Sequence, residues 1–353
     1  MLIVNDNAGT NQIQLMQRQS NIELLRIIAM LMILVLHANM MANGLPSSDE
    51  VMSDFLPSFF RFFFEVISIV GVNVFVLISG WFGLRCTKRG VCNIFFQCAF
   101  CSGVAIVIYL LLHHSMPIWT MLIKEAYIGS SYWFVVSYLG LMIMAPVLNT
   151  FVEHTSKMVL ERFLVVFFAF QMVYGWLMLD EAHFINGNSI LSFIGIYLLA
   201  RYLKLYGKPL VDKSSRFFFC GYALCSIVVI IFLLAGILSN NVLISQNIID
   251  KVALAYNSPF VIVSSVCLFL GFVRLDMGSH RRINRLAASA FSIYLIHCNI
   301  IILPDYIQLM SSTFEKFDGI LCIFVIFAML LVIGAACILI DQVRVWCWKK
   351  IVG

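Results

Sequence analysis

The sequence predicts an all-α polytopic membrane protein of about ten transmembrane helices, with both termini cytoplasmic. Three observations carry this expectation. The 353 residues are 62% apolar and 12% charged, with a mean hydropathy of +0.97, whereas soluble domains are nearer half apolar and a quarter charged. The apolar residues gather into runs close to the ~20 residues that cross a bilayer core. The Lys and Arg residues fall mostly in alternate loops, as the positive-inside rule requires.

In chain order, the apolar runs over 22–42, 59–83, 93–112, 132–150, 163–179, 189–206, 217–238, 257–275, 286–303 and 319–341 read as ten spans. The sixth is short, and His297 interrupts the ninth. Only short loops separate the spans, so any chemistry falls to the helices and their loops. The N-terminus is polar and Asn/Gln-rich and the first apolar run is span-length, so that run is expected to be retained rather than cleaved. Met16 is a second candidate start. Residues 1–20 thus read as a polar cytoplasmic tail, 21–345 as the membrane domain and 346–353 as a second short tail.

With the N-terminus cytoplasmic, 19 of the 23 Lys and Arg residues fall on the cytoplasmic side. Arg61, Lys124, Lys251 and Lys316 remain on the far side. That side is acidic, with Asp49, Glu50, Asp54, Asp180, Glu181, Asp305, Glu315 and Asp318. The net charge of +5 therefore reports topology and gives no reason to expect nucleic acid as a partner. Most of the eleven cysteines sit inside apolar runs, among them Cys98, Cys101, Cys298 and Cys337, and read as ordinary buried thiols.

Ionisable groups inside spans are costly and mark candidate functional positions. The first span, NIELLRIIAMLMILVLHANMM, carries Glu23, Arg26 and His37. Arg26 and His37 are eleven residues apart, which at about 100° per residue places them within roughly 20° of one face and some 16 Å apart along the axis. Alone, Arg26 reads equally well as a snorkelling cation paired with Glu23, and a lone His reads as an interhelical hydrogen bonder. Together on one face they suggest an active site. The second span holds Glu65, Asn73 and Ser79, followed by Arg85, Lys88 and Arg89. This cluster suits phosphate, although the positive-inside rule alone supplies such clusters. Tyr132 and Trp133 open the fourth span as an interfacial aromatic belt or a sugar-stacking surface. Tyr294 and His297 lie in the ninth span, with His297 at about the depth of His37. His113, His114 and His183 read as solvated loop residues. No zinc signature, Gly-rich phosphate loop or nucleophile elbow is present, so no metal is expected.

Several segments carry a resemblance in their order. RQSNIELLRIIAMLMILVLHAN, GVNVFVLISGWF, SYWFVVSYLGLMIMAPVLN, SILSFIGIYLLARYLKLY and SAFSIYLIHCNIII resemble successive segments of the acyltransferase 3 family, the membrane acyltransferases that O-acetylate bacterial surface glycans. The resemblance covers nearly the whole chain. It implies that Arg26 and His37 are essential, His37 catalytic and Arg26 serving the donor. It also implies a basic donor-binding motif after the second helix, Arg-x-x-Arg in some members. Here Arg85 is followed by Lys88 and Arg89, so the pattern departs. Family members with a fused periplasmic domain exist; this sequence carries none, so the membrane domain is expected to complete transfer by itself.

The expected function is transfer of an acetyl or other acyl group from acetyl-CoA, a co-substrate and not a bound cofactor, to a hydroxyl of a cell-surface glycan or its lipid-linked precursor. The location implied is the bacterial inner membrane. Glu23, Ser79, Tyr132, Trp133, Tyr294 and His297 are expected around the catalytic residues. A transporter or flippase of lipid-linked glycan, or a polysaccharide polymerase, is the alternative. No internal repeat of a transporter or long far-side loop of a polymerase is evident, and nothing in the sequence sets an oligomeric state.

Overall fold

The computed structural model describes residues 19–126, 132–178, 183–239, 241 and 249–352. The N-terminal tail as far as residue 18, Asp180 and Glu181 of the acidic set, and the side chain of Lys124 lie outside the described residues. Among the described residues the regular elements are helical and there is no strand.

Helix α1 (Ser20–Leu36) continues into a wider π-type turn, His37–Met41. Helix α2 (Ser48–Ser53) opens with a capping box. Ser47 Oγ accepts from the Glu50 backbone N–H, and Glu50 Oε2 accepts from that of Ser47 at 2.7 Å. Helices α3 (Phe55–Ser68) and α4 (Gly71–Phe82) form one apolar stretch interrupted at Ile69 and Val70. Helix α5 (Lys88–His113) is capped by Thr87. Helix α6 (Trp119–Ala126), α7 (Trp133–His154) and α8 (Lys157–Phe170) follow, the last widening into a π-type turn over Gln171–Leu177. Next come α9 (Ile190–Tyr206), α10 (Lys208–Val211) and α11 (Ser215–Leu238). Helix α12 (Pro259–Val273) starts on a proline, where the missing N–H would have no partner anyway. The chain ends with α13 (Arg281–Ala287), α14 (Phe291–His297), α15 (Leu303–Lys316) and the long α16 (Gly319–Val352).

Seven helical stretches among the described residues are long and apolar enough to cross a membrane. They are Ser20–Met41, Phe55–Phe82, Lys88–His113, Trp133–His154, Lys157–Leu177, Ser215–Leu238 and Gly319–Ile351. The other three expected spans fall on shorter helices: α9 with 17 residues, α12 with 15, and the broken α14 region. Exposed Val107, Leu111, Ile143, Val166, Phe324 and Val332 face outward from the long helices. Such a surface is stable only in lipid.

Helix α1 sits inside the bundle, packed by α3, α4, α12, α13, α14 and α16. Leu25, Ala29, Met30 and Leu34 are fully buried there. Asn21 Nδ2 donates to the Phe272 carbonyl at 2.8 Å and ties α1 to the end of α12. Gly80 lets α4 lie against α9, since a Cβ there would meet the Tyr197 carbonyl oxygen at 2.5 Å. The loop after α4 is held by Tyr197, whose hydroxyl donates to Asn149 Oδ1 at 2.6 Å and accepts from the Leu84 N–H at 3.1 Å. Asn149 Nδ2 in turn donates to the Leu84 carbonyl at 2.9 Å.

The break after α14 is made by polar side chains. The Asn299 N–H bonds the Ile296 carbonyl instead of continuing the α-helical ladder, which frees the Leu295 carbonyl. Unpaired backbone groups at membrane depth cost several kcal/mol unless the protein satisfies them. The Tyr132 hydroxyl donates to the Leu295 carbonyl at 2.7 Å and accepts from Asn299 Nδ2 at 2.7 Å. Asn299 Oδ1 accepts from the Ile301 N–H at 3.0 Å, starting the turn into α15. Tyr132 is thus a buried strut and not part of an interfacial belt. Tyr132→Phe is expected to strand both partners, at about 1–3 kcal/mol for each buried group. A lowered melting temperature of the purified protein checks this.

Candidate active site

Arg26 leaves the N-terminal half of α1, and His37 follows its last residue. Arg26 Nη1 donates to Glu23 Oε1 at 3.1 Å and Oε2 at 3.3 Å, a half-buried pair one turn apart. This is the pairing the i,i+3 spacing predicts. Arg26 also lines a cavity of about 510 Å³. Arg89, Arg344 and Lys349 line the same cavity, with Ser79 and Tyr138 on another wall. Four cations thus surround one cavity, two of them paired with carboxylates, Arg26 with Glu23 and Arg344 with Asp341. Ser79 donates to the Phe75 carbonyl at 3.0 Å, so Tyr138 donates to Ser79 Oγ at 3.0 Å. Arg85 and Lys88 are exposed and do not line this cavity. Of the three basic residues after α4, Arg89 is the one brought to Arg26.

The floor of the cavity is aromatic. Phe75, Phe134 and Phe291 line it, with mutual centroid distances of 5.9–6.2 Å. Tyr294 packs beneath them, 5.7 Å from Phe291 and 5.9 Å from Phe134, and stands edge-on to His297 at 6.4 Å. Trp133 packs in the adjoining cluster with Phe193 and Tyr256. These rings form a layer between the cationic cavity and the imidazoles.

His37 and His297 meet below that layer. His37 Nδ1 and His297 Nε2 are 2.9 Å apart, with ring centroids at 5.1 Å. The π-type turn aims both His37 and Asn39 inward, His37 at His297 and Asn39 at Glu65 Oε2, 2.7 Å away. Tyr306 donates to the Leu34 carbonyl at 2.8 Å and holds α15 against this turn. His297 Nδ1 faces the Ile293 carbonyl, so that nitrogen carries the proton and Nε2 accepts. His37 Nδ1 must then donate to His297 Nε2, which leaves the lone pair on His37 Nε2. Cys298 Sγ lies 3.1 Å from His37 Nδ1 and 3.2 Å from His297 Nε2. His37, His297 and Cys298 offer donor types that metals use.

His297 also lines a second, largely apolar cavity of about 560 Å³. Tyr306, Gln308 and Ser312 are among its polar walls. His113 Nε2 contacts Asp305 Oδ1 at 3.0 Å beside it, and the His113 ring packs at a tilt against Tyr109, centroids 4.2 Å apart. His113 is therefore a partnered residue and not simply a solvated one.

The chain matches the family model described as an acyltransferase domain, over residues 19–341. It belongs to the acyltransferase 3 family. No curated protein and no solved structure matches it. As an acyltransferase 3 protein with many apolar helices, it is a multi-pass membrane acyltransferase. This class replaces the transporter and polymerase alternatives.

Two features of this acyltransferase 3 site escape sequence spacing. Asp341 and Arg344 form a buried bidentate pair, 0% and 3% exposed, with contacts of 2.6 and 2.8 Å. Gln97 donates to Asp341 at 3.3 Å, and Arg344 donates to Asn93 at 3.1 Å. Arg344 looked like one more positive-inside residue; the nearby Asp341 inside an apolar run was the only signal. Cys298 was one buried thiol among several, and its adjacency to His297 was the only hint.

Asp341→Ala is expected to leave Arg344 buried without its counter-ion, costing about 3–5 kcal/mol. Replacing both with leucine is expected to recover most of that stability, because an apolar pair of similar volume is often neutral. Thermal melting of the three proteins checks the order.

Proposed function

We propose that this acyltransferase moves an acetyl group from acetyl-CoA to a hydroxyl of a cell-surface glycan or its lipid-linked precursor. The observation that carries the reading is the placement of both groups on α1. Arg26 faces a cation-lined cavity at one end, and His37 faces a second imidazole at the other. The reading also takes the chain as ten crossings of the bacterial inner membrane with both termini cytoplasmic, on the strength of the Lys/Arg asymmetry.

Under this reading the CoA phosphates dock among Arg26, Arg89, Arg344 and Lys349, and the thioester arm runs toward the Phe134–Phe291 floor. Glu23 fixes the Arg26 fork, and Asp341 fixes that of Arg344. The acceptor approaches from the opposite cavity, which His297 lines. His37 Nε2 takes the hydroxyl proton as the oxygen attacks the acyl carbon. His37 Nδ1–H stays directed at His297 Nε2 and holds the ring in the productive tautomer. The departing CoA thiolate ends with the proton, so the transfer is neutral overall. Orientation and one base suffice because a thioester is already a good acyl donor.

His37→Gln is expected to lower acyl transfer by about 10²–10⁴-fold, the usual contribution of a general base. Arg26→Lys is expected to lose most activity, since a point charge does not replace a planar fork. Arg89→Ala should raise the KM for acetyl-CoA, with Arg85→Ala and Lys88→Ala changing it far less. Glycan acetylation by membranes with matched protein levels reads all five. Full activity of His37→Gln would sink the reading.

A further inference from the structure

We infer that Cys298 is a covalent acyl carrier, receiving the acyl group as a thioester before it passes to the acceptor. The inference rests on the acyl-CoA reading above and goes beyond it in naming a nucleophile and an intermediate.

Three facts converge on Cys298. Its Sγ lies within hydrogen-bonding distance of two imidazole nitrogens, 3.1 Å from His37 Nδ1 and 3.2 Å from His297 Nε2. A nucleophile beside a base that is itself oriented by a third group is the arrangement covalent catalysis requires. Here the base is His297, and the third group is the Ile293 carbonyl. The two imidazoles also have different roles at the sulfur. The His297 Nε2 lone pair can take the thiol proton, and His37 Nδ1–H can donate to the thiolate that forms. Finally, Cys298 is 5% exposed and caps the end of α14 beside His297, whose ring lines the second cavity. A carrier here lets a donor and an acceptor on opposite sides react without meeting.

The steps balance. Cys298 Sγ gives its proton to His297 Nε2 and attacks the thioester carbonyl carbon of acyl-CoA. The C–S bond to CoA breaks, and the CoA sulfur leaves with that proton. One thioester has replaced another, so the transfer potential of the acyl group is conserved. In the second step His297 Nε2, its proton gone with CoA, takes the acceptor's hydroxyl proton, the oxygen attacks the Cys298 thioester, and the Cys298 thiolate leaves and is reprotonated by that proton. No oxidant or reductant takes part. The acyl end of the arm must pass Phe134, Phe291 and Tyr294, so these rings swing aside during the first step.

The test is isotope exchange in the full chain, purified into lipid, with labelled CoA and unlabelled acetyl-CoA and no acceptor. A carrier requires label to move into acetyl-CoA; direct transfer forbids it. The expected result is exchange by the native protein, lowered at least about 10²-fold in Cys298→Ala. Peptide mapping of native protein incubated with acetyl-CoA alone should find one acyl group on Cys298, removed by neutral hydroxylamine. This second measurement does not depend on the variant folding. Acceptor acetylation without exchange overturns the carrier and leaves the acyltransferase reading standing. Exchange that persists in Cys298→Ala, or an acyl group on His37 instead, also overturns it. Absence of any acetyl-CoA consumption by the native chain overturns both.

Discussion

A contact between two imidazoles, His37 Nδ1 to His297 Nε2 at 2.9 Å, forms where two helices both depart from regular geometry. Helix α1 widens into a π-type turn at His37, and α14 stops at His297. The α14 break frees a carbonyl that lipid cannot satisfy, and the chain answers with Tyr132 and Asn299. At the α1 turn Tyr306 adds a second donor to the Leu34 carbonyl, which the His37 N–H already reaches. The aromatic residues at these sites therefore act chiefly through their hydroxyls. The imidazole contact is the reason those hydroxyls are where they are.

The same contact explains the layering of the site. With His297 Nδ1 committed to the Ile293 carbonyl, the tautomers of both rings follow: the His297 Nε2 lone pair faces His37 Nδ1–H and Cys298, and the His37 Nε2 lone pair lies outside the imidazole contact. The cationic cavity lies on the other side of the Phe134, Phe291 and Tyr294 rings. Charge is thus concentrated around the first cavity, and the imidazoles occupy an apolar surrounding. A buried Asp341–Arg344 pair would cost more than it returns in a purely structural role. Its position on the cavity wall gives that cost a use, since it presents a fixed guanidinium in a low-dielectric setting.

Much of this was legible in the sequence, for identifiable reasons. Arg26 and His37 announce themselves because charge inside an apolar run is expensive, and helical periodicity places them on one face. The equal depth of His37 and His297 follows from counting residues from the basic ends. The breaks were not legible. Residues 59–83 and 286–303 are continuous apolar stretches in sequence, and the groups that break the second come from Tyr132, in another helix. The choice of Arg89 over Arg85 and Lys88 depends on how Tyr197 and Asn149 hold the loop after α4. Arg344 was masked by the positive-inside rule, which accounts for any cytoplasmic arginine without asking what it touches.

The central claim is that His37 and His297 work as one unit, and a double-mutant cycle on acyl transfer tests it most directly. His37→Gln, His297→Gln and the double variant are compared at matched protein levels, with acetyl-CoA consumption as the readout. The account predicts strong non-additivity, the double variant being about as slow as the slower single one. Independent effects that multiply in the double variant would contradict it.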